Sequence, residues 1–298
     1  MSPAGPAAGL SGGGDLGEVH YLRPHPGAPA VFARRAARFG ALAPGHAAGD
    51  YLALLARLAT AQRAVAERLR LPPAPPPTAG ALPLDLAAPP PAWREALGLL
   101  LTELDGVAAP PPVGAALERL GRLPPADLDG LAERLLAGRA GPLDVAVAPF
   151  AGAALQVAFT GLAAGIAPAA VARAGEGCPI CGSSPTVGVV LGDDKLRYLV
   201  CGLCATWWHH TRAQCVLCRS SAAVSYLALE GAPGPARAEA CDGCQAFLKL
   251  LYVEQGPQLE PLADDVATLA LDLMVGERGY RRLGQNPYLV AGPGGAEG

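Results

Sequence analysis

All eight cysteines of the chain fall into Cys-x-x-Cys pairs, and this pattern constrains the fold more than any other feature of the sequence. The pairs are Cys178/Cys181, Cys201/Cys204, Cys215/Cys218 and Cys241/Cys244. A Cys-x-x-Cys turn presents two thiolates on one side, and two such turns facing each other across a hairpin form a closed tetrahedral metal site. Because no cysteine is left over, the sequence predicts metal-binding ribbons in the C-terminal half.

An internal repeat indicates how the pairs combine. The segment that begins at Cys178 matches the one that begins at Cys215, since both read Cys-x-x-Cys-x-Ser-Ser, and Arg197 and Arg237 each stand four residues before the next cysteine. We therefore expect two separate sites, formed by Cys178, Cys181, Cys201 and Cys204 and by Cys215, Cys218, Cys241 and Cys244. The spacing leaves open an interleaved arrangement of the pairs, and structural disulfides.

The identity of the metal is not determined by the spacing. Four thiolates in a tetrahedron suit zinc, and they equally suit the single iron of a rubredoxin-type site. Structural zinc would stabilise a segment too short and too polar to fold alone, whereas iron would add redox chemistry. We predict two metal ions per chain, iron or zinc, each bound by four cysteines.

The N-terminal half has the pattern of an α-helical domain. Apolar residues recur at three- and four-residue spacing from Ala30 to about Arg70. Further helices are predicted at 92–104, 114–120, 127–138 and 151–172. This half shows no paired carboxylates, no Ser/His pair and no phosphate-binding glycine loop, so we expect a protein that is not an enzyme.

The composition changes after residue 177, where short segments rich in Val, Tyr and Leu alternate with Cys and Gly turns. Strands are predicted at Val187–Leu191 and Leu196–Val200, on either side of a turn. Helices are predicted at Ala246–Tyr252 and Leu262–Gly276, and Asp264 and Asp265 are expected to cap the latter.

The predicted fold class is α+β, with an N-terminal α-helical domain, two tandem rubredoxin-like or zinc-ribbon modules and a C-terminal helix. The predicted boundaries are a disordered N-terminus at 1–17, the helical domain at 18–174, the first ribbon at 175–211, the second ribbon at 212–252, and the C-terminal helix and tail at 253–298.

Charge and hydropathy argue against several classes of partner. The formal net charge is −3, and the five basic residues between the first and last cysteine are balanced by five acidic ones, so a basic footprint for nucleic acid is absent from this segment. The uncharged stretch 145–172 is mostly Ala and Gly and includes Pro149, Gln156 and Pro168, which favours a buried helix over a membrane span. No secretory signal is recognisable, so we expect a cytoplasmic protein, in which disulfides are rare.

Several longer motifs resemble those of the formate dehydrogenase accessory proteins, the FdhE family. They cover residues 178–290 densely, and Phe32 to Arg38 and Gly49 to Gln62 also fit. The motifs are Cys178-Pro-Ile-Cys-Gly-Ser-Ser-Pro, Arg197-Tyr-Leu-Val-Cys-Gly-Leu-Cys-Ala-Thr-Trp, Ala240-Cys-Asp-Gly-Cys-Gln-Ala-Phe-Leu-Lys, Ala263-Asp-Asp-Val-Ala-Thr-Leu-Ala-Leu-Asp and Gly279-Tyr-Arg-Arg-Leu-Gly-Gln-Asn-Pro-Tyr-Leu.

The resemblance implies a cytoplasmic maturation factor that binds the catalytic subunit of a respiratory formate dehydrogenase before export and is needed for its assembly into active enzyme. It also implies rubredoxin-like metal sites. We expect partner contacts from Trp208, His210 and Arg212, in and beside the link between the two ribbons. A rubredoxin-like electron carrier is the first alternative, and a zinc-ribbon nucleic-acid binder is the second.

Overall fold

A computed structural model of the chain describes residues 20–73, 81–106, 110–168, 171, 175, 177–229 and 234–289. The segment predicted to be disordered, 1–17, lies outside the described residues. Six of the helices in the described part precede the first cysteine: α1 (Ala28–Leu42), α2 (Gly49–Arg68), α3 (Trp93–Leu104), α4 (Pro111–Arg122), α5 (Pro125–Leu136) and α6 (Ala148–Ala164).

Helix α6 lies at the centre of this helical region. It packs against α2, α3 and α5, and nearly all of its side chains are buried because they are mainly Ala, Gly, Leu and Phe. Its polar Gln156 is satisfied inside the core, where Gln62 of α2 donates to its Oε1 at 3.0 Å. The predicted buried helix is therefore present. In the described part of the chain, no helix combines the length and the apolar character that crossing a membrane requires.

The C-terminal part contains a seven-stranded sheet with two further helices. The strands are β1 (Val187–Leu191), β2 (Leu196–Val200), β3 (Trp207–His209), β4 (Val224–Leu227), β5 (Ala236–Cys241), β6 (Ala246–Tyr252) and β7 (Arg281–Arg282). Their order is β3-β2-β1-β6-β5-β4, and β7 pairs with β6. The helices are α7 (Pro261–Ala267) and α8 (Leu269–Glu277), and a short 3₁₀ turn spans Val253–Gln255.

The sequence repeat appears as a structural repeat within this sheet. Strands β1, β2 and β3 form one antiparallel unit, and β4, β5 and β6 form the other in the same order. The units join head to tail through parallel pairing of β1 with β6, where Gly188 lies opposite Leu250. A Cβ at Gly188 would come within 2.5 Å of the Leu250 side chain, so this position requires glycine or a shift of that side chain.

The two units differ in register. Val187 of β1 pairs with Val200, the residue before Cys201, whereas Val224 of β4 pairs with Cys241 itself. The strand order is thus duplicated, while the pairing of the first two strands in each unit is offset by one residue.

The outer edge of β3 is covered by the chain's own N-terminal segment. The Arg23 amide donates to the Trp207 carbonyl at 3.1 Å, and the His209 amide donates to the Tyr21 carbonyl at 2.7 Å. Leu22 forms the antiparallel bridge to Trp208 between these bonds.

Two predictions about the C-terminal segments are wrong. Ala246–Tyr252 is the strand β6 and not a helix. Its residues are buried on both faces between neighbouring strands and layers, and a short apolar run of this kind has no periodicity that separates a buried strand from a helix. The predicted helix Leu262–Gly276 is divided at Thr268 into α7 and α8.

The prediction for the cap of α7 is correct only in part. Glu260, not Asp264 or Asp265, is the N-cap, and its carboxylate accepts from the Leu262 and Ala263 amides at 3.1 and 2.9 Å. Both aspartates lie inside the helix and are buried, at 3% and 0% exposure. Asp264 still contributes to the cap, because its Oδ2 accepts from the Glu260 amide at 2.9 Å. The Asp265 carboxylate instead contacts Asn286 and Arg282.

The C-terminal segment after β7 runs back against the helical region. Tyr288 is fully buried, its ring packs edge-on against Phe39 with centroids 5.5 Å apart, and its hydroxyl bonds to Gln62 at 2.5 Å. Arg35 donates to the same hydroxyl at 3.3 Å and forms a buried ion pair with Glu260. The last described residues therefore complete the core of the first helices.

Candidate metal centres

The eight sulfur atoms gather into the two groups that the repeat predicted. Within each group the sulfurs lie within 4.8 Å of one another, and the groups are Cys178, Cys181, Cys201 and Cys204, and Cys215, Cys218, Cys241 and Cys244. We refer to them as the first centre and the second centre. In both, the first cysteine pair precedes the opening strand of a unit. The second pair lies where the next strand ends: Cys201 directly follows β2, whereas Cys241 is the last residue of β5.

Each Cys-x-x-Cys turn is closed by the backbone in the same way. The residue after the second cysteine has a positive φ in all of them, and these residues are Gly182 (79°), Ala205 (58°), Arg219 (60°) and Gln245 (53°). Its amide donates back to the first cysteine's carbonyl, as in the 2.8 Å bond from Gly182 to Cys178. Because only Gly182 is a glycine, the residue type alone would not have identified the other left-handed positions.

The distances between sulfurs fit metal ligation and exclude disulfides. In the first centre, Cys178 and Cys204 lie 3.5 Å apart, and Cys181 and Cys201 lie 3.6 Å apart. In the second, the corresponding separations are 3.6 Å for Cys215/Cys244 and 3.5 Å for Cys218/Cys241. Zinc–sulfur bonds of about 2.3 Å in a tetrahedron place sulfurs about 3.8 Å apart, whereas a disulfide requires about 2.05 Å.

The first centre is enclosed on all sides. All four cysteines are fully buried, and polar side chains support their sulfurs: Ser183 lies 3.0 Å from the Cys201 sulfur, and Thr206 lies 3.1 Å from that of Cys204. Burial raises the pKa of the Cys178 and Cys204 thiols well above the usual value, whereas, despite burial, hydrogen bonds from the neighbouring cysteines hold the pKa of Cys201 well below it. Gathering several thiolates in a buried site favours a cation that neutralises them.

The helical region holds the Cys201–Cys204 turn directly. From α6, Gln156 donates to the Gly202 carbonyl at 2.6 Å and Thr160 donates to the Leu203 carbonyl at 3.2 Å. From the N-terminal segment, His25 Nε2 donates to the Cys204 carbonyl at 3.1 Å, while its Nδ1 accepts from the Gly27 amide. Burial lowers the pKa of His25, which keeps the imidazole in this neutral form. Sequence patterns gave no signal for these three contacts.

The second centre opens to solvent. Cys218 is exposed and Cys244 is half-buried, while Cys215 and Cys241 are buried. A backbone hydrogen bond with Ser220 and the neighbouring Cys241 lower the pKa of Cys218 to about 7, and burial raises the pKa of Cys244 to about 12. Among the described residues, none of the helices α1 to α6 supplies a hydrogen bond to this centre.

Arg197 of β2 connects the two units. It is 0% exposed, and its guanidinium pairs with Glu239 of β5. The same group donates to the carbonyls of Thr211 and Gln214, the latter at 2.8 Å, and lies 2.6 Å from His210 Nδ1. A buried guanidinium thus holds both a strand of the second unit and the link that leads into it.

Arg197 and the residues that it contacts lie close in sequence to cysteines of both centres. It precedes Cys201 of the first centre by four residues. Gln214 directly precedes Cys215, and Glu239 precedes Cys241 by two residues. Both pairs of ligands in the second centre are therefore tied to a strand that ends at the first centre. The sequence repeat includes Arg197 but does not indicate its partners.

Only one of the three residues predicted to contact a partner is well placed to do so. Trp208 is 2% exposed because β3 lies between β2 and the N-terminal segment, so its ring belongs to the core and does not lie on the surface. His210 is half-buried, its Nδ1 lies 2.6 Å from the Arg197 guanidinium, and burial lowers its pKa. Arg212 is exposed.

A buried charge cluster joins the second unit to the C-terminal helices. Lys249 of β6 is 0% exposed and lies 2.9 Å from Asp265 and 2.5 Å from Asp272. Arg282 contacts the same two carboxylates at 2.6 and 2.7 Å, and Asn286 donates to Asp265 at 2.9 Å. Burial opposes ionisation of Asp265, yet the charges of Arg282 and Lys249 hold its pKa below the usual value. The cluster explains why Asp265 is not a helix cap.

Comparison with known protein families finds matches along nearly the whole described chain. Three family models match: the FdhE N-terminal model at residues 21–176, the FdhE central domain at 177–212 and the FdhE C-terminal domain at 213–289. Together they span the helical region, both centres and the C-terminal segment.

Curated proteins and a solved structure give the same result. An FdhE homologue of Pseudomonas putida is 40% identical over 286 residues, covering 89% of each chain. Another from Pseudomonas aeruginosa is 39% identical over 313 residues, covering 95% of this chain and 97% of the relative. Protein FdhE of Escherichia coli K12 is 35% identical over 281 residues, covering 89% of each. The crystal structure of the FdhE protein from Pseudomonas aeruginosa superposes with a TM-score of 0.81 and 37% identity, covering 91% of this chain and 99% of that one.

Proposed function

The chain belongs to the FdhE family, and from that premise we propose that it is a cytoplasmic accessory protein that binds the catalytic subunit of a respiratory formate dehydrogenase and supports its assembly into active enzyme. The observation that carries the proposal is the match of all three family models in order along residues 21–289. The proposed role is binding and maturation, without a catalytic reaction of its own.

Each centre is proposed to bind one metal ion, iron or zinc, through its four cysteines. The sulfur separations of 3.5–3.6 Å and the closed backbone turns support this. Zinc would supply structural cross-linking, and iron would add one-electron chemistry. Elemental analysis of protein purified with and without oxygen should give two ions per chain, and X-ray absorption should show sulfur ligands alone. One ion per chain, or nitrogen in the coordination shell, would contradict the proposal.

For partner binding, the structure supports Arg212 and not Trp208. Arg212 is exposed in the link between β3 and the second centre, whereas Trp208 is buried. A partner protein can therefore reach the Arg212 side chain. Arginine is enriched among the residues that dominate binding energy at interfaces, where truncation costs on the order of 2 kcal/mol or more. Arg212 is therefore proposed as a contact with the catalytic subunit.

The test is capture of the catalytic subunit by affinity-tagged protein, together with formate dehydrogenase activity in a strain that lacks the gene. The wild-type chain should retain the subunit, and the deletion strain should lose activity. Arg212→Ala should weaken capture about tenfold or more while leaving metal content unchanged. If the wild-type chain captures nothing and the deletion strain keeps full activity, the maturation role is wrong.

The exposed second centre favours an electron carrier as the alternative function. Cys218 is exposed at that centre, and an iron ion there would have a short path to an external redox partner. Two results together would support the carrier. An iron–thiolate absorption band of the protein should bleach reversibly on reduction, and a strain that lacks the gene should keep normal formate dehydrogenase activity. Zinc in both centres would exclude it.

A further inference from the structure

The outer edge of β4 ends the sheet on the side opposite to β3. In the part of the chain that the structure describes, no segment pairs with this edge, and β4 is hydrogen-bonded to β5 alone. The opposite edge, on β3, is covered by residues 21–23. One end of the sheet is therefore closed by the chain itself, and the described residues leave the other end open.

The structural repeat shows what the edge of β4 is suited to receive. Strand β4 occupies the place in its unit that β1 occupies in the other, directly after the first cysteine pair. The corresponding edge of β1 is filled by β6, an apolar strand that runs parallel to it. The fold thus already contains one example of this strand position accepting a parallel strand.

Apart from its short length of four residues, β4 lacks the features that usually protect an open edge. Natural edge strands carry Lys, Pro or bulges, or they are covered by other elements. Strand β4 reads Val-Ser-Tyr-Leu, with no charge and no proline, and Tyr226 at its centre is 46% exposed. Exposed backbone donors and acceptors beside an exposed aromatic ring are the elements of strand addition by an extended peptide.

The two faces of β4 define the environment that an added strand would meet. Leu227 packs towards the apolar cluster that includes Leu271, Met274 and Val275 of α8. On the other face, Tyr226 donates to Glu239 at 3.2 Å, and Glu239 pairs with Arg197. A guest strand therefore gains an apolar neighbour on one face and a polar, aromatic one on the other.

The start of β4 is also attached to the exposed second centre. The amide of Asp242, in the turn between Cys241 and Cys244, donates to the Ala223 carbonyl at 2.9 Å. The position of the edge is therefore set by a turn that carries two of the centre's cysteines.

We propose that the outer edge of β4 binds an extended segment of the catalytic subunit as an added parallel strand. Apolar and polar residues would alternate along this segment, with the apolar side chains on the face beside Leu227. Main-chain hydrogen bonds supply most of the affinity in this binding mode. It therefore suits a partner, here called the client, whose own strands are not yet buried in its fold. The inference rests on the proposed accessory role, which supplies the client.

The test combines capture of the catalytic subunit with hydrogen exchange of the full-length chain. The amides of β4 that point away from β5 should exchange rapidly in the free protein and become protected in the complex. Tyr226→Lys places a charge on the edge and should reduce capture at least tenfold, because edge lysines oppose strand addition. Metal content of each variant is measured to confirm that the second centre is intact.

Two matched variants serve as controls. Tyr226→Phe removes only the hydroxyl that bonds Glu239, and Leu273→Lys places the same new charge on a residue of α8 that is 62% exposed. Both should capture the subunit within twofold of wild type. A loss of capture in Leu273→Lys equal to that in Tyr226→Lys would overturn the proposal, because it would show a general effect of charge.

The outcomes separate this proposal from the accessory role. Strand addition is overturned, while the accessory role stands, if wild type and Tyr226→Lys capture the subunit equally well. The same conclusion follows if the exchange rates of the amides of residues 224–227 do not change when the complex forms. Slow exchange of the β4 amides that point away from β5 in the free protein also overturns it, because another part of the chain then covers the edge. If the wild-type chain captures no catalytic subunit, the accessory role and this proposal both fail.

Discussion

The first and second centres share their ligands and their backbone turns but have opposite surroundings. The first has four buried cysteines, and α6 and His25 hold its second turn through carbonyl contacts. The second has an exposed Cys218 and a half-buried Cys244. Duplication of one motif has therefore produced one centre inside the core and one at the surface. The difference comes from what packs around each unit and not from the cysteine motif.

This difference separates the expected roles of the two ions. A metal in the first centre neutralises thiolates inside the core that joins the helical region to the sheet, so it should contribute strongly to folding. A metal in the second centre lies where solvent, chelators and partners can reach it.

Removing one ligand from each centre should give the largest contrast. Cys204→Ser should lose one ion and lower the Tm by on the order of 10 °C, because several kcal/mol of metal-linked stability are lost from the core. Cys218→Ser should lose the other ion with a much smaller fall in Tm. Elemental analysis and thermal unfolding measure both effects, and the double variant Cys178→Ser/Cys204→Ser should still keep one ion. Equal shifts in Tm would show that burial does not distinguish the centres.

Breaking the link between the centres should have the next largest effect. Arg197→Met leaves the Glu239 carboxylate buried without its partner, and this should reduce the free energy of unfolding by about 3–5 kcal/mol. It should also speed loss of metal from the second centre. Urea unfolding and metal release measure these changes.

The Arg197 prediction has two controls. Arg197→Met/Glu239→Gln removes the unpaired charge and should recover part of the stability. Arg63→Met breaks an ion pair with Glu67 whose side chains are 47% and 50% exposed, and it should change the stability by no more than about 1 kcal/mol. A double variant as unstable as Arg197→Met would show that the buried charge is not the cause.

A single contact from α6 should give the smallest effect. In wild-type protein a chelator should remove the ions in two phases, the second centre first and the first centre at least tenfold more slowly. Thr160→Val removes the hydroxyl bond to the Leu203 carbonyl, worth about 1 kcal/mol, and should speed the slow phase about fivefold without changing the fast one. Thr102→Val is the control, since Thr102 donates to Gly98 on an exposed helix face. A change in the fast phase would contradict the assignment of the phases.

Local chemistry explains what the sequence predicted correctly. The grouping of the cysteines follows from a repeat within a short segment, and Val187–Leu191 and Leu196–Val200 match the observed strands because a turn and the cysteine pairs fix their ends. Most helices of the first half were also identified, since their apolar periodicity is set by one buried face. These features depend on neighbours in the sequence.

The features that the sequence did not predict depend on distant packing. Ala246–Tyr252 is a strand because β1 and β5 lie on either side of it, and Trp208 is buried because residues 21–23 cover β3. Asp265 was assigned to a cap, whereas its partners Lys249 and Arg282 come from two different strands. No spacing rule connects such residues, so their contacts become visible only in the folded chain.

The position of Tyr288 has a consequence for the order of events during synthesis. The ribosome produces the helices first, yet the site between Phe39 and Gln62 is filled by a ring that lies 226 residues beyond Gln62. Pro287 beside it lies against Gly202, in a turn of the first centre. Every cysteine has left the ribosome before these residues emerge, so metal can enter before the last segment is in place. A chain truncated before Pro287 would leave the space between Phe39 and Gln62 empty, and its incompletely packed helical core would be more susceptible to proteolysis.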